Sequence, residues 1–309
     1  MSKEIGTLLT AMVTPFKENG AVDYEAAGRL AAMLVADGSD GIVVSGTTGE
    51  SPSLRDAEKI ELLRSVRDAI PSDKSVVAGT GSNDTHHSVE LSELAMKAGA
   101  DALLAVVPYY NKPPQEGMYQ HFKAISEIGP TVMYNIQGRT AVNMTAATTL
   151  RCAELPGIIG VKEASGDLDQ IGLVCAGKPE RFKVWSGDDS WTLPILAVGG
   201  HGVICVVSHI AGRSMARLIE AHRKGDNATA REIHGALLPV IKALMTTAAN
   251  PVPIKSVLNE MGFEAGPFRL PLVPLTDDQR RSVMKTVRDA GEYITFASEG
   301  VPAGSRRSL

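Results

Sequence analysis

Apolar residues along this chain follow two alternating periods. Short runs, apolar at consecutive positions, recur eight times: TLLTAMVT, GIVVS, SVVAG, ALLAVV, TVMYN, IIGVKE, KVWS and GVICVV. Between them lie stretches whose apolar residues return every three or four positions, such as YEAAGRLAAMLVAD, LRDAEKIELLRSVRDAI and THHSVELSELAMKAG. The first kind reads as strands buried on both faces, the second as amphipathic helices. Eight strand–helix units in about 220 residues predict an α/β fold, a (β/α)8 TIM barrel rather than a doubly wound sheet. Beyond the eighth unit the period is helical only, over 227–247, 253–261 and 277–294. This predicts a barrel catalytic domain over 1–225 and a C-terminal helical extension over 226–309. The closing residues EGVPAGSRRSL are small, polar and basic, and are expected to fray.

Composition narrows the class. The 309 residues are 44% hydrophobic and 21% charged, ordinary for a globular chain with a large core and too apolar for disorder. A net charge of −4 shows no basic excess, so no nucleic-acid partner is expected. The three cysteines, Cys152, Cys175 and Cys205, are odd in number and lack C-x-x-C spacing, which suggests neither disulfides nor a zinc site. The first residues, MSKEIGTLLTAMVTPF, lack the pattern of a signal peptide. LPILAVGGHGVICVVSHIAG is broken by glycines and histidines, so it reads as helix, turn and strand rather than a membrane span. The expected compartment is the cytoplasm.

The turns after the strands carry the chemistry: GTTGES, GTGSND, PYYNKPPQEG, YNIQGRT, ASGD and GDD. In a barrel these cluster at the C-terminal face and converge on one cavity. Lys162 ends the sixth strand. In low dielectric its ammonium is disfavoured, and lowering its pKa from about 10.4 to near 7.5 represents about 4 kcal/mol of differential solvation. A neutral amine there could attack a ketone; the alternative is a lysine reaching solvent or pairing with Glu163. Tyr134 ends the preceding strand. It suits proton transfer with a hydroxyl partner such as Thr47, or equally the commoner role of a core aromatic. Arg139 suits a bidentate carboxylate clamp or a surface ion pair. GTTGES offers backbone N–H groups and hydroxyls to an anion but is no Walker motif, and the seven histidines show no metal-ligand spacing. His86 and His87 read as solvated surface.

Taken in order, GTTGES, PYYNKPPQEGMYQHF, YNIQGRT, GVKEASGD, SGDD and GGHGVI closely resemble the dihydrodipicolinate synthase family of pyruvate-dependent lyases, and NPVPIKSVLNEMG and RLPLVPL extend the likeness over residues 6–290. The resemblance implies a Schiff base between Lys162 and pyruvate. It implies a proton relay of Tyr134, Thr47 and Tyr110, the last donated by a neighbouring subunit of a homotetramer. Thr48 and the main chain at Ile204 would then hold pyruvate, with Gly187 at the same site, and Arg139 would hold the carboxylate of L-aspartate semialdehyde. No metal or organic cofactor is implied, because the protonated imine is its own electron sink. Related aldolases that take sugar-like aldehydes generally lack this arginine. A silent keto-acid-binding paralogue is the reading from another class, and the joint presence of these residues argues against it.

Two departures from the family pattern matter. Gln137 stands where the family usually has proline, which is expected to loosen the loop carrying Arg139. In lysine-inhibited relatives an interface cleft often has histidine at the position of Lys59 and glutamate at that of His87, whereas Ser51, Asn83 and Tyr109 match. The exchange adds about two positive charges, so inhibition by lysine is expected to be weak or absent.

Overall fold

The structure, a computed structural model, describes residues 3–296. Eight parallel strands close into a barrel in chain order. They are β1 (Leu8–Ala11), β2 (Gly41–Val44), β3 (Ser75–Gly79), β4 (Ala102–Val106), β5 (Thr131–Asn135), β6 (Ile158–Glu163), β7 (Lys183–Ser186) and β8 (Gly202–Cys205). The two-residue period of a strand explains why each run is apolar throughout. Leu9, Val43, Val77, Val132, Trp185 and Ile204 fill the barrel interior. Their neighbours Leu8, Ile42, Val76, Met133, Val184 and Val203 face outward into the layer beneath the helices.

The outer ring begins with α1 (Tyr24–Ala36), α2 (Asp56–Ala69), α3 (Thr85–Lys97) and α4 (Gln115–Ser126). It continues with the single turn α5 (Gln137–Thr140), then α6 (Ala146–Ala153), α7 (Leu168–Gly177), α8 (Thr192–Ala197) and α9 (Ser208–Arg223). Aspartates start several of these helices by accepting orphan N–H groups: Asp23 from Ala26, Asp84 from His86, Asp167 from Gln170. The chain continues as α10 (Asn227–Thr246), α11 (Val252–Glu260) and α12 (Asp277–Asp289), packed on α9 and on the turn after β7.

The strand boundaries move where side chains take over the backbone donors. β1 spans four residues rather than the expected eight, since the Val13 N–H goes to His209 Nε2 (3.1 Å) instead of a strand. β8 stops at Cys205 because the N–H groups of Val206 and Val207 are captured by the Asp189 carboxylate. The last expected helix ends at Asp289, followed by a short 3-10 turn over Gly291–Tyr293. The tail expected to fray, from Glu299, lies outside the described residues. Among the described residues no helix is long and apolar enough to cross a membrane.

Candidate active site

Strands β5 and β6 run in register with Tyr134 beside Lys162, each the penultimate residue of its strand and each facing the interior. Lys162 is only 5% exposed, and its Nζ lies 4.3 Å from the centre of the Tyr134 ring. Burial pulls its pKa down to about 8; the Asp189 carboxylate opposes this most and the Arg139 charge adds to it. Burial likewise pushes the Tyr134 phenol up to about 12, while Arg139 and then the Thr47 side chain pull it back. Glu163 does not pair with the lysine. It faces away and accepts hydrogen bonds from Asn135 Nδ2 (3.2 Å) and the Ser165 N–H (2.8 Å). The amine therefore sits buried against a ring face, with its charged form disfavoured and a larger neutral fraction than an exposed lysine would have.

The turn after β2 carries the two threonines. Ser45 leaves the strand in a left-handed conformation (φ 54°), and Glu50 repeats it (φ 57°), folding Thr47 and Thr48 between them. Thr48 is buried, and its Oγ1 accepts a hydrogen bond from Asn250 Nδ2 (2.9 Å). Gly187 follows β7, where a Cβ would stand 2.7 Å from Ala164 Cβ and 3.2 Å from Lys162 Cε. A side chain there would clash with Ala164 and crowd the lysine stem.

Two cavities open at this face. The larger, about 660 Å³, is lined by Thr47, Tyr134 and Arg139, and the smaller, about 520 Å³, by Arg139, Gly187, Asp188 and Trp191. Arg139, on α5, borders both. It has no ion-pair partner among the described residues, and its Nη2 donates to the Asn250 carbonyl at 3.3 Å. The surface-ion-pair alternative for this arginine is thus not what the fold builds. Lys162, Thr48 and Ile204 lie buried behind the cavity walls, Ile204 within the barrel interior. Tyr110 is not brought to this site within the chain: it is 88% exposed, at φ 72°, while Tyr109 lines the larger cavity.

The larger cavity continues into a cleft formed by Ser51, Lys59, Asn83, His87 and Tyr109. His87 is not simply solvated surface, as read from the sequence. Its Nε2 meets Asp56 Oδ2 at 2.7 Å, and Lys59 meets Asp56 Oδ1 at 3.3 Å. Burial raises the Asp56 pKa, but the His87 hydrogen bond and the Lys59 charge together hold it below the usual carboxylate value. Among the described residues no group of three or more His, Cys, Asp or Glu side chains could hold a metal.

Five residues at the site were not singled out from the sequence. Asp189, buried behind the GDD turn, has its pKa raised by burial to about 6 against the pull of the Val207 and Val206 N–H groups. Ser45 Oγ and Asn250 Oδ1 are buried without a partner among the described residues. Glu50 meets Lys255 of α11 in a buried ion pair of 2.9 Å. The only signal for these was membership of the quoted motifs GTTGES, SGDD and NPVPIK, or, for Ser45, its place at the end of the run GIVVS.

A parallel barrel whose cavities open at the strand C-termini is of the class of barrel enzymes that act on small molecules at that face. Residues 4–290 match the model of the Dihydrodipicolinate synthetase family, and the chain belongs to that family. The 4-hydroxy-tetrahydrodipicolinate synthase of Moorella thermoacetica is 52% identical over 288 residues, covering 93% of this chain and 98% of that one. The crystal structure of the dihydrodipicolinate synthase from Cyanidioschyzon merolae with lysine bound aligns with TM-score 0.91 at 43% identity, over 93% and 98% of the two chains. A structure described as the first monomeric dihydrodipicolinate synthase variant aligns with TM-score 0.90 at 39% identity, over 93% and 97%.

Proposed function

We propose that this chain is a lyase with the activity its relatives are named for, that of a 4-hydroxy-tetrahydrodipicolinate synthase. It condenses pyruvate with L-aspartate 4-semialdehyde in the synthesis of diaminopimelate and lysine. The observation that carries the mechanism is the buried Lys162 amine, its pKa near 8, beside Tyr134. The neutral amine attacks the ketone carbon of pyruvate, and loss of water leaves an iminium. Proton removal from the methyl group gives an enamine, whose carbon attacks the aldehyde. The amine of the second substrate then adds to the iminium carbon and displaces Lys162, closing the ring. One water is released overall and the lysine is regenerated.

In this reading Thr48 and the main chain at Ile204 hold the pyruvate carboxylate, with Gly187 leaving the lysine room. Arg139 holds the carboxylate of the second substrate, which is supported by its guanidinium having no ion-pair partner among the described residues. Tyr134 and Thr47 move protons, and Tyr110 of a neighbouring subunit completes the relay in a homotetramer. The exposure of Tyr110 on its own chain supports that last assignment. The barrel of 1–225 would carry the chemistry, with 226–309 as a C-terminal extension. No metal or organic cofactor takes part in these steps.

Borohydride reduction with pyruvate tests the mechanism. One three-carbon adduct at Lys162, abolished in Lys162→Ala, is expected; an adduct elsewhere, or none, refutes it. Arg139→Ala should spare trapping and cripple turnover with aspartate semialdehyde, whereas loss of activity with EDTA would point to a metal-dependent aldolase. Sedimentation tests the assembly, and a fully active monomer would remove Tyr110 from the relay.

A further inference from the structure

We infer that Asn250, outside the barrel, is a positioning residue that sets the Thr48 hydroxyl and the Arg139 guanidinium together, so that the two carboxylate receptors behave as one unit. The inference rests on the roles proposed above for Thr48 and Arg139. Asn250 lies in the turn between α10 and α11 and is 7% exposed. It touches both receptors through different atoms. Its side-chain Nδ2 donates to Thr48 Oγ1 at 2.9 Å, and its backbone carbonyl accepts from Arg139 Nη2 at 3.3 Å.

The direction of these bonds matters more than their number. A hydroxyl has one proton and two lone pairs. With the Asn250 amide donating into its oxygen, Thr48 keeps its proton for an acceptor on the ligand. Arg139 uses one donor on the Asn250 carbonyl, which fixes the plane of the guanidinium and leaves its other donors for a carboxylate. Asn250 thus occupies the bonding capacity that a substrate carboxylate does not need and leaves what it does need.

The surroundings hold Asn250 and the Thr48 turn in a fixed relation. Lys255, on α11, bonds through its backbone N–H to the Pro251 carbonyl (3.0 Å) and through Nζ to Glu50 Oε1 (2.9 Å). The Arg269 N–H reaches the second oxygen of the same carboxylate at 3.2 Å. Glu50 is two residues from Thr48, so the extension grips the turn at both places. Meanwhile Asn250 Oδ1 stays buried with no partner among the described residues, a penalty that a purely structural residue would be expected to avoid.

The test is steady-state kinetics on the full-length enzyme carrying Asn250→Ala or Asn250→Asp, with thermal melting alongside. Asn250→Ala removes the side-chain bond to Thr48 and with it the anchor that holds the Asn250 carbonyl under Arg139, so KM should rise about tenfold for pyruvate and also, through the shifted carbonyl, for aspartate semialdehyde, with a smaller change in kcat. Asn250→Asp is the sharper variant. A carboxylate can only accept, so it draws the Thr48 proton away from the ligand, and pyruvate KM should rise further than in the alanine variant. A rise in only one KM overturns the coupling. Unchanged KM values with a lower Tm show a role in folding alone, and wild-type pyruvate KM in Asn250→Asp shows that Thr48 donates to Asn250. Should Asn250→Ala not fold, Asn250→Ser is read by the same criteria. Failure of the wild-type chain to trap pyruvate sinks both this inference and the proposed function; trapping with unmoved KM values in the variants sinks this inference alone.

Discussion

Burial lowers the pKa of Lys162 toward the neutral range, and that sets both its reactivity and its effect on stability. Its folded pKa of about 8 lies below the ordinary lysine value, so the fold favours the neutral amine. Its contribution to stability is therefore present above the unfolded pKa, near 10.4, and is lost as the pH falls through 8. At neutral pH a largely protonated amine is buried without a carboxylate within ion-pair distance among the described residues. Lys162→Met should accordingly raise stability by about 1–3 kcal/mol at pH 7 while abolishing the pyruvate adduct; a lower Tm would contradict the desolvation account. In the wild type, the rate of borohydride trapping should fall about tenfold per pH unit below 8 and level off above it, and a rise that continues unchanged to pH 10 would show the amine to be unperturbed. Strand-end position made Lys162 and Tyr134 legible in the sequence, and Arg139 was legible from its place in the turn that follows β5. Asp189 was not, because its role as acceptor for the Val206 and Val207 N–H groups depends on β7 and β8 lying side by side.

At the scale of elements, α5 shows how the chain turns at Gln137. The turn forms without the proline, with Gln137 at its first helical position and the N–H groups of Arg139 and Thr140 bonded to the Ile136 carbonyl at 3.0 and 3.1 Å. The first helical position has no intrahelical use for its N–H and suits proline. Gln137→Pro should stabilise by about 0.4–1 kcal/mol through the unfolded chain, with KM for both substrates unchanged; destabilisation in melts would show that the turn needs the glutamine. The cleft between α2 and α3 modifies the electrostatic argument from the sequence. Both Lys59 and His87 face it, but Asp56 sits between them and offsets one of the added charges. Bound lysine would find both Asp56 oxygens already engaged. Inhibition is still expected to be weak, with half-inhibition above about 1 mM, and tighter inhibition would refute the charge argument. Asp56→Ala, which restores the repulsion, should weaken any residual inhibition further.

Across the whole molecule, the extension closes over the barrel through one buried ion pair. Lys255 and Glu50 are 0% and 1% exposed, 205 positions apart in the chain, and burial pulls the lysine pKa down to about 8 against the Glu50 charge. Phe16 and Phe268 face the ammonium at 4.1 and 5.2 Å. Removing one partner strands a buried charge, so Lys255→Met should destabilise by about 3–5 kcal/mol. The double variant Glu50→Gln with Lys255→Met should recover much of that loss. Equal losses in the single and double variants, measured by denaturant unfolding, would show that packing and not charge is at stake.

The sequence alone determined the barrel, the ring of helices, the strand ends that carry Lys162 and Tyr134 and the turn that carries Arg139, because periodicity is local and eight repeats of it leave few ways to bury the apolar surface. The family followed from motifs that are likewise contiguous in the chain. Tertiary structure decided what no local pattern encodes: that Lys162 is desolvated while its neighbour Glu163 faces the other way, that Asp56 bridges two helices, and that Asn250 and Lys255 reach back to the turn after β2. Burial and hydrogen-bond direction are properties of residues brought together across the fold. They set the charge of the amine and the orientation of the donors, and they exist only once the barrel and its extension have closed on each other.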